Sequence, residues 1–462
     1  MIENLIYIYG KYLFIYFLAV NLFYLLLIVL SWSSLDRFVK NIRSDITPVG
    51  EYTKPISVVV PCYNEEETIL DNLKSLLDLD YPTFEIVIVN DGSTDNTLQK
   101  VIQAYRLRKI DFEVNLQIPC SQIRGVYSSF EHPDLKIVDK VNGGKADALN
   151  AGINVSRYPL FCAIDADCII EKDALFRIVK PYLKYDDTVA VGGMIRIANG
   201  CTIKNGVLIE SEVPKKLIEQ FQIIEYFRAF LSSRIGWQRL NALLIISGAF
   251  GLFKKSAVVE VGGYVKTIGE DMELTARIHE RFREKKIPYR IDFTSDAVCW
   301  TQAPQNLKDL KEQRLRWHRG LADSLWSHKK MFLNPKYGFV GMLSMPYFVL
   351  VELLGPVFEL IGYLVFILSV YTNTSNINIF YTFLLAYMFG ILFSFSAIFL
   401  EEISYSRYKK PHEILQLFSI AIFEQFGYRQ ITVFWRFISF FNYKKHKHSW
   451  GSIKRSALSK EE

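Results

Sequence analysis

Apolar and polar positions follow two rhythms along this chain. Between residues 12 and 31, and again from 338 onward, apolar residues run nearly unbroken. Between 55 and about 300, short apolar runs alternate with amphipathic stretches. A short continuous apolar run bounded by turn residues reads as a strand buried on both faces, and a longer stretch of 3.6 period reads as a helix. Strands are therefore predicted at 56–60, 85–89, 136–138, 160–164 and 189–195. Helices are predicted at 65–79, with Asn64 as its cap, and at 94–105, 146–155 and 173–183. Asp91-Gly92-Ser93 and Gly143-Gly144 supply turns. This alternation argues for an α/β unit built on a doubly wound, mainly parallel sheet with helices on both faces.

The long apolar runs add a membrane to the picture. Residues 12–31 suffice to cross a bilayer. They lack the basic leading region and small-residue cleavage site of a signal peptide, so a retained anchor is expected. Lys11 precedes the run and Arg37, Lys40 and Arg43 follow it. The bias of basic residues toward the inner side puts the amino terminus outside and the next domain in the cytosol. Residues 347–370 and 379–400 each read as a span, joined by the uncharged polar loop 372–378. Residues 414–441 are apolar overall but carry Glu424, Arg429 and Arg436, with basic residues on both sides. They are expected to lie along the interface or re-enter. The plan is thus an anchor at 1–35, a cytosolic unit at 50–300, interfacial helices at 301–337, and membrane and interfacial helices at 338–462 ending in a basic cytosolic tail. The expected place is the cell membrane, multi-pass.

Composition refines this without changing it. At 462 residues the chain exceeds one ordinary domain, and half of its residues are hydrophobic. The net charge of +6 is mild, and Lys and Arg gather beside the apolar segments and in the tail 444–460. That distribution suits anionic lipid headgroups, and no basic stripe interleaved with aromatics points to nucleic acid. The six cysteines (Cys62, Cys120, Cys162, Cys168, Cys201, Cys299) form no C-x-x-C pair or zinc-spaced cluster and read as reduced, buried thiols.

Residues 160–170 read L-F-C-A-I-D-A-D-C-I-I. Asp165 and Asp167 stand at the carboxyl end of a buried strand, where open α/β sheets bind ligands. Two carboxylates there are costly without a positive partner, and a divalent cation carrying a diphosphate is the natural one. Three further constellations accompany them: Pro61-Cys62-Tyr63-Asn64-Glu65, Asn90-Asp91-Gly92-Ser93, and Gly269-Glu270-Asp271 with Gln313-Arg314-Leu315-Arg316-Trp317. Taken in order, this set resembles the membrane-embedded family 2 glycosyltransferases, the group that holds cellulose, chitin, hyaluronan and poly-N-acetylglucosamine synthases. The resemblance runs from about residue 55 to 320 and implies a GT-A-like fold.

The resemblance also implies roles. Asp271 matches the general base, which a sugar hydroxyl needs because it is a weak nucleophile at neutral pH. Asp165 and Asp167 match the ligands of Mg²⁺ or Mn²⁺. Tyr63, Glu65, Asp91, Lys145, Asp165 and Arg316 fall in the donor nucleotide site. Trp317, Gln313, Glu270, Ser247 and Gly248 fall in the acceptor site. Physical reasons stand beside these roles. Asp91 can accept from a uracil or ribose, or else form an Asx turn capping the next helix. Gln313, Arg316, Trp317 and Gly320 share one helical face, where Arg316 can hold a leaving diphosphate and Trp317 can stack a sugar, with Gly320 leaving room beside it. Carboxylates at 270 and 271 also complement the dipole of a helix predicted at 272–283. Glu225, Arg228 and Arg234 lie in an amphipathic stretch, 222–234, of unassigned role.

Two departures from the family pattern stand out. The second constellation reads Asn90-Asp91 and not a double aspartate, and no gating-loop signature of the cellulose synthase type follows Gly320. The expected function is inverting transfer from a nucleotide-diphospho-sugar, a UDP-sugar first, to a β-linked polysaccharide of poly-N-acetylglucosamine type. Expected partners are the donor, a growing glycan or lipid acceptor, membrane lipids and an accessory export subunit. The rivals are transfer of a single sugar to a lipid or short acceptor, and a transporter or sensor with a degenerate nucleotide fold; the intact Asp165, Asp167, Asp271 and Gln313–Trp317 set argues against the last. The topology is testable with single cysteines placed in the 372–378 loop and after Lys444. A membrane-impermeant maleimide on intact cells should label the loop alone; labelling of the tail instead means that 414–441 crosses the bilayer.

Overall fold

The computed structural model describes residues 2–42, 53–204, 206–372 and 377–441. The basic tail 444–460, Arg43 and most of the 372–378 loop lie outside them. The strands are β1 (Ile56–Cys62), β2 (Phe84–Asn90), β3 (Arg108–Ile110), β4 (Ile123–Ser128), β5 (Leu135–Lys140), β6 (Leu160–Ile164), β7 (Ile169–Ile170), β8 (Thr188–Ile197), β9 (Cys201–Lys204), β10 (Val207–Ser211), β11 (Phe250–Lys254) and β12 (Arg290–Thr301). Every residue of β5, β6 and β8 is buried; β6 is apolar throughout, whereas β5 buries Lys136, Asp139 and Lys140 and β8 buries Thr188 and Arg196.

One sheet takes all of them except the β9–β10 hairpin, in the order β3-β4-β5-β2-β1-β6-β11-β8-β12-β7. Pairing sets β3, β5, β2, β1, β6, β8 and β12 in one direction and β4, β11 and β7 in the other. The mainly parallel sheet was legible from the alternation; the β3–β4 hairpin and the antiparallel insertion of β11 between β6 and β8 were not. That insertion matters. β5, β2, β1 and β6 all end at one edge, whereas β11 begins there, with Phe250 opposite Ile164. The loop before β11 therefore arrives beside the residues that follow β6.

Helix ends depart from expectation in several places, among them the helix expected at 94–105, which spans Thr97–Ala104. The first helix is Ile69–Leu77 and starts four residues later than 65. Asn64 sits in the left-handed region (φ 55°), and its Oδ1 accepts from the Thr94 amide at 2.8 Å. It ties two loops together and caps no helix. The helix foreseen at 272–283 spans Glu270–Glu284, so both acidic residues belong to its first turn.

Two helices, Tyr7–Ser34 and Phe380–Ser404, are long and apolar enough to cross a bilayer. The span expected at 347–370 is instead a pair, Val340–Leu353 and Gly355–Tyr371, bent by 46°. Proline explains both the break and the wide turns. Pro346 lies between the π-helical turns Val340–Ser344 and Phe348–Leu353, and Pro356 opens the second helix. A proline nitrogen cannot donate and its ring displaces the carbonyl one turn back.

Residues 414–441 divide into Pro411–Phe423 and Tyr428–Phe441, with Gly427 at φ 82° between them. The first packs on Leu217–Phe227 and Ile377–Ser404, the second on Leu307–Ser327 and Gly355–Tyr371. Near one end Glu413 accepts from the Val213 amide, and near the other Arg436 reaches His318 on the helix Leu307–Ser327. Their charges are paired: Glu424 with Arg228 (2.5 Å), Arg429 with Glu359 (3.0 Å) and Arg436 with Glu352 (3.4 Å).

One further pair joins the sheet to the apolar helices. Arg196 at the end of β8 makes two bonds of 2.7 Å to the Glu401 carboxylate, both side chains buried. Removing one partner of such a pair strands the other, at about 3–5 kcal/mol. Glu401→Ala should lower the unfolding temperature of the detergent-solubilised protein by several degrees. An unchanged transition would mean that apolar packing alone docks this helix.

Candidate active site

The residues after β1, β2, β5 and β6 and before β11 converge on one edge of the sheet. Gly144, at φ 92°, turns the chain from β5 into the helix Lys145–Val155, so Lys145 is that helix's first residue. Its ammonium lies 2.5 Å from Asp165 Oδ1 and 3.2 Å from Glu270 Oε1. Burial pulls the Lys145 pKa down, but Asp165 and Glu270 outweigh it and hold the group charged. Burial raises the Glu270 pKa, with Lys145 opposing it. Next to them, Asp271 Oδ2 accepts from the Gly248 amide at 3.2 Å and Oδ1 from the Met272 amide at 2.7 Å. A Cβ at Gly248 would stand 2.9 Å from the Lys145 ammonium, so the 247–249 loop lies directly over it. Ser247 is spent on its own turn, its Oγ accepting from the Ala249 amide at 3.4 Å.

Ligand atoms of Asp165, Asp167 and Cys168 all lie within 4.8 Å of one another. A hydrogen bond with Cys299 and burial raise the Cys168 pKa well above its ordinary value, which keeps the thiol protonated and unsuited to a cation. The two carboxylates are hard oxygen donors and fit Mg²⁺ or Mn²⁺. Around them stand four carboxylates, those of Asp165, Asp167, Glu270 and Asp271, against the one Lys145 ammonium.

Asp91 is buried a few residues away. Its Oδ1 accepts from Lys140 Nζ at 2.5 Å and the Gly143 amide at 3.0 Å, and its Oδ2 from the Gly144 amide at 2.7 Å. Neither carboxylate oxygen caps a helix, so the Asx-turn alternative falls away; Asp91 instead holds the glycine turn that presents Lys145. Tyr63 is half exposed, and Glu65 Oε2 accepts from Thr68 Oγ1 at 2.9 Å while its amide donates to Thr97 Oγ1 at 2.9 Å. These two sit with the β1 and β2 loops, apart from the Lys145 cluster.

The remaining residues ride on the helix Leu307–Ser327, capped by Asn306, whose Oδ1 accepts from the Asp309 amide at 2.9 Å. Its backbone touches the Gly269 turn: a Cβ on Gly320 would lie 3.0 Å from Gly269 Cα. Ser324 Oγ adds a bond of 3.2 Å to the Gly269 carbonyl. Gly320 is thus spent on the Gly269 turn that precedes Asp271, where the sequence suggested room beside Trp317. Gln313 is buried and its Oε1 has no partner among the described residues. Arg316 is half-buried on the same face. Trp317 is 44% exposed, and the Arg314 guanidinium, held by Glu225 at 2.5 Å, lies 4.7 Å from its ring.

Comparison with known proteins decides what kind of molecule this is. Residues 57–261 match the family described as Glycosyl transferase family 2, and residues 161–395 match Glycosyl transferase family group 2. A poly-beta-1,6-N-acetyl-D-glucosamine synthase of Staphylococcus epidermidis is 32% identical over 381 residues, covering 79% of this chain and 78% of that one. One of the same description from Staphylococcus aureus (strain COL) is 34% identical over 287 residues, 62% of this chain and 58% of that one. The chain belongs to glycosyltransferase family 2. Its fold is shared with a mannosyltransferase from Pyrobaculum calidifontis solved in complex with GDP-Man and Mn²⁺, at TM-score 0.51 and 17% identity over 94% of this chain and 99% of that one. The glycosyltransferase is accordingly a GT-A α/β unit joined to membrane helices.

Sequence reasoning missed several partners in this glycosyltransferase. Lys140 faces Asp91 because β5 lies beside β2, with Asn90 opposite Asp139. Strand neighbours are not written in a single sequence. The Gly269–Gly320 contact had a visible trace, a glycine in each motif, but nothing paired them. The contact is testable: Gly320→Ala forces the helix away from the Gly269 turn, and misplacements near 1 Å can cost about 10²-fold in rate. Donor turnover should fall at least about tenfold while UDP binding persists. An unchanged rate would mean that the turn tolerates the shift.

Proposed function

We propose that this glycosyltransferase transfers a sugar from a UDP-sugar, with inversion, onto a growing β-linked polysaccharide of poly-N-acetylglucosamine type. The observation that carries this reading is the Asp271 carboxylate fixed by two amides beside the Lys145–Asp165–Glu270 cluster. The description of the staphylococcal relatives supports the product class.

The proposed chemistry follows from that geometry. Asp165 and Asp167 would hold a divalent cation, Mg²⁺ or Mn²⁺, which when bound neutralises the donor diphosphate. Lys145 orients Asp165 and keeps Glu270 in place. Tyr63, Glu65 and Asp91 line the nucleotide end, with Asp91 acting through the glycine turn. Asp271 takes the proton from the acceptor hydroxyl as its oxygen attacks the anomeric carbon. The two amides that Asp271 accepts from, at Gly248 and Met272, fix the direction of its carboxylate. Arg316 receives the charge that develops on the leaving diphosphate, and Trp317, Gln313, Glu270, Ser247 and Gly248 bound the acceptor. Attack opposite the leaving group turns an α-linked donor into a β-glycoside.

The domain plan proposed is an anchor at 1–35, a cytosolic catalytic unit at 50–300, interfacial helices at 301–337, and a multi-pass remainder that contacts membrane lipids and an accessory export subunit. A second reading, single-sugar transfer to a lipid or short acceptor, draws on the small number of helices able to span among the described residues: two, or three if the bent pair is one.

Protein in lipid, given labelled UDP-sugars with Mg²⁺ or Mn²⁺, tests both readings by product length. The synthase reading predicts long products; a product only one sugar longer than its acceptor under excess donor selects the second. Asp271→Asn should lose about 10²- to 10⁴-fold in transfer while keeping UDP binding. Retention of half the activity removes Asp271 as base. Asp165→Ala and Asp167→Ala should abolish the enhancement of UDP binding by Mn²⁺ seen calorimetrically, and an enhancement equal to wild type removes them as ligands.

A further inference from the structure

The helix Leu307–Ser327 meets the helix Glu270–Glu284 along one line of contacts. Gly320, Ser324 and His328 stand at i, i+4 and i+8, on one face of the first helix and its cap. Gly320 abuts Gly269, and Ser324 Oγ donates to the Gly269 carbonyl at 3.2 Å. His328 closes the line. Its Nδ1 lies 2.8 Å from Glu280 Oε2 and its Nε2 lies 3.3 Å from Glu273 Oε1. The ring is buried, and no step of the chemistry above uses it. Glu273 shares the first turn of its helix with Asp271. One imidazole therefore ties that turn to the end of the helix that carries Gln313, Arg316 and Trp317.

The partners of the ring decide its charge. Each carboxylate already holds a second cation: Arg277 donates to Glu273 Oε2 at 2.8 Å, and Lys330 Nζ lies 2.9 Å from Glu280 Oε1. Lys330 also reaches Glu284 Oε1 at 2.8 Å, and the Tyr337 hydroxyl donates to that oxygen at 3.0 Å. An ionised carboxylate only accepts, so two of them on two ring nitrogens call for a donor at each. The imidazolium supplies both; the neutral ring turns a lone pair on one carboxylate. The balance of burial and bonding runs the same way. Burial pulls the His328 pKa down, but the bonds to Glu273 and Glu280 outweigh it and raise it above the ordinary value. Burial raises the Glu280 pKa, and the His328 and Lys330 bonds outweigh that and hold it low.

We infer that His328 is a positioning residue for transfer: as a cation it clamps the Asp271 helix to the helix of Gln313, Arg316 and Trp317, and its deprotonation opens the clamp and slows the reaction, a role that rests on Asp271 being the base. A raised folded-state pKa sets the sign. The clamp is fully closed below about pH 6.5, the ordinary imidazole value, and is lost as pH rises through the folded value. Once the His328 tie is released, Ser324 and Gly320 on the same face carry the shift to Gly269, two residues before Asp271. A displacement near 1 Å at a reacting group can cost about 10²-fold in rate.

The test uses the full chain in lipid, with UDP-N-acetylglucosamine as donor and β-1,6-linked N-acetylglucosamine oligomers as acceptor, and follows kcat against pH. Wild-type kcat should fall on the alkaline side. His328→Gln keeps one donor and does not titrate; it should lower the plateau by about tenfold or more and remove that alkaline limb. Donor KM and UDP binding should stay within about twofold of wild type. Glu280→Gln keeps the ring but removes one of its carboxylates, so the limb should move to lower pH by about one unit or more. A general loss of structure lowers activity without moving a limb along the pH axis. Where His328→Gln fails to bind UDP, the shift in Glu280→Gln decides. A limb that keeps its wild-type position in Glu280→Gln, or persists in a UDP-binding His328→Gln, overturns the clamp, as does a wild type without an alkaline limb. Loss of UDP binding in both variants also overturns it, because the cluster then serves the fold and not the base. A wild type that extends no oligomer at any pH overturns the parent reading, and this role falls with it.

Discussion

Four carboxylates meet where the strands of the sheet end, and a single ammonium stands among them. Asp165 and Asp167 follow the buried strand β6, while Glu270 and Asp271 open a helix that arrives from elsewhere in the chain. Without Lys145 between Asp165 and Glu270, the crowding of like charges at a partly buried edge would push these segments apart. Much of the surrounding detail serves to keep that ammonium in place. Asp91 and Lys140 fix the glycine turn before it, and Gly248 leaves space above it. The charge left over is the reason that a cation and a diphosphate suit this edge.

The second constraint is the junction between the α/β unit and the apolar helices. It is made by ion pairs inside otherwise apolar surroundings: Arg196 with Glu401, Arg228 with Glu424, Arg407 with Glu171 and Arg314 with Glu225. Paired charges of this kind are weak sources of net stability but strict about geometry, since breaking one strands its partner. The Arg314–Glu225 pair holds the helix Leu307–Ser327, and that helix's close contact at Gly269 carries its position to the turn before Asp271. The site's geometry and the membrane helices are therefore mechanically continuous.

What a single sequence conveys is local. The runs at the centres of β1, β2, β5 and β6 were legible because a doubly covered strand is mostly apolar. The helix that opens at Glu270 and the apolar runs around 7–34 and 380–404 were legible for similar reasons. Motif residues such as Asp165, Asp167, Asp271 and Trp317 declared themselves by unusual polarity beside apolar runs and by their order. Asn64 misled, because a residue that favours caps also tolerates the left-handed region and took up the latter.

The sequence by itself determined the α/β character, the apolar helices and the identity of the acidic residues at strand and helix ends. Those follow from burial period, residue size and charge, which are written position by position. Only the tertiary structure decided that β11 enters antiparallel beside β6, that Lys140 answers Asp91 and that Gly320 touches Gly269. Each of these depends on which distant segments become neighbours. Strand order and helix packing are chosen by the whole core at once, and no local pattern records that choice.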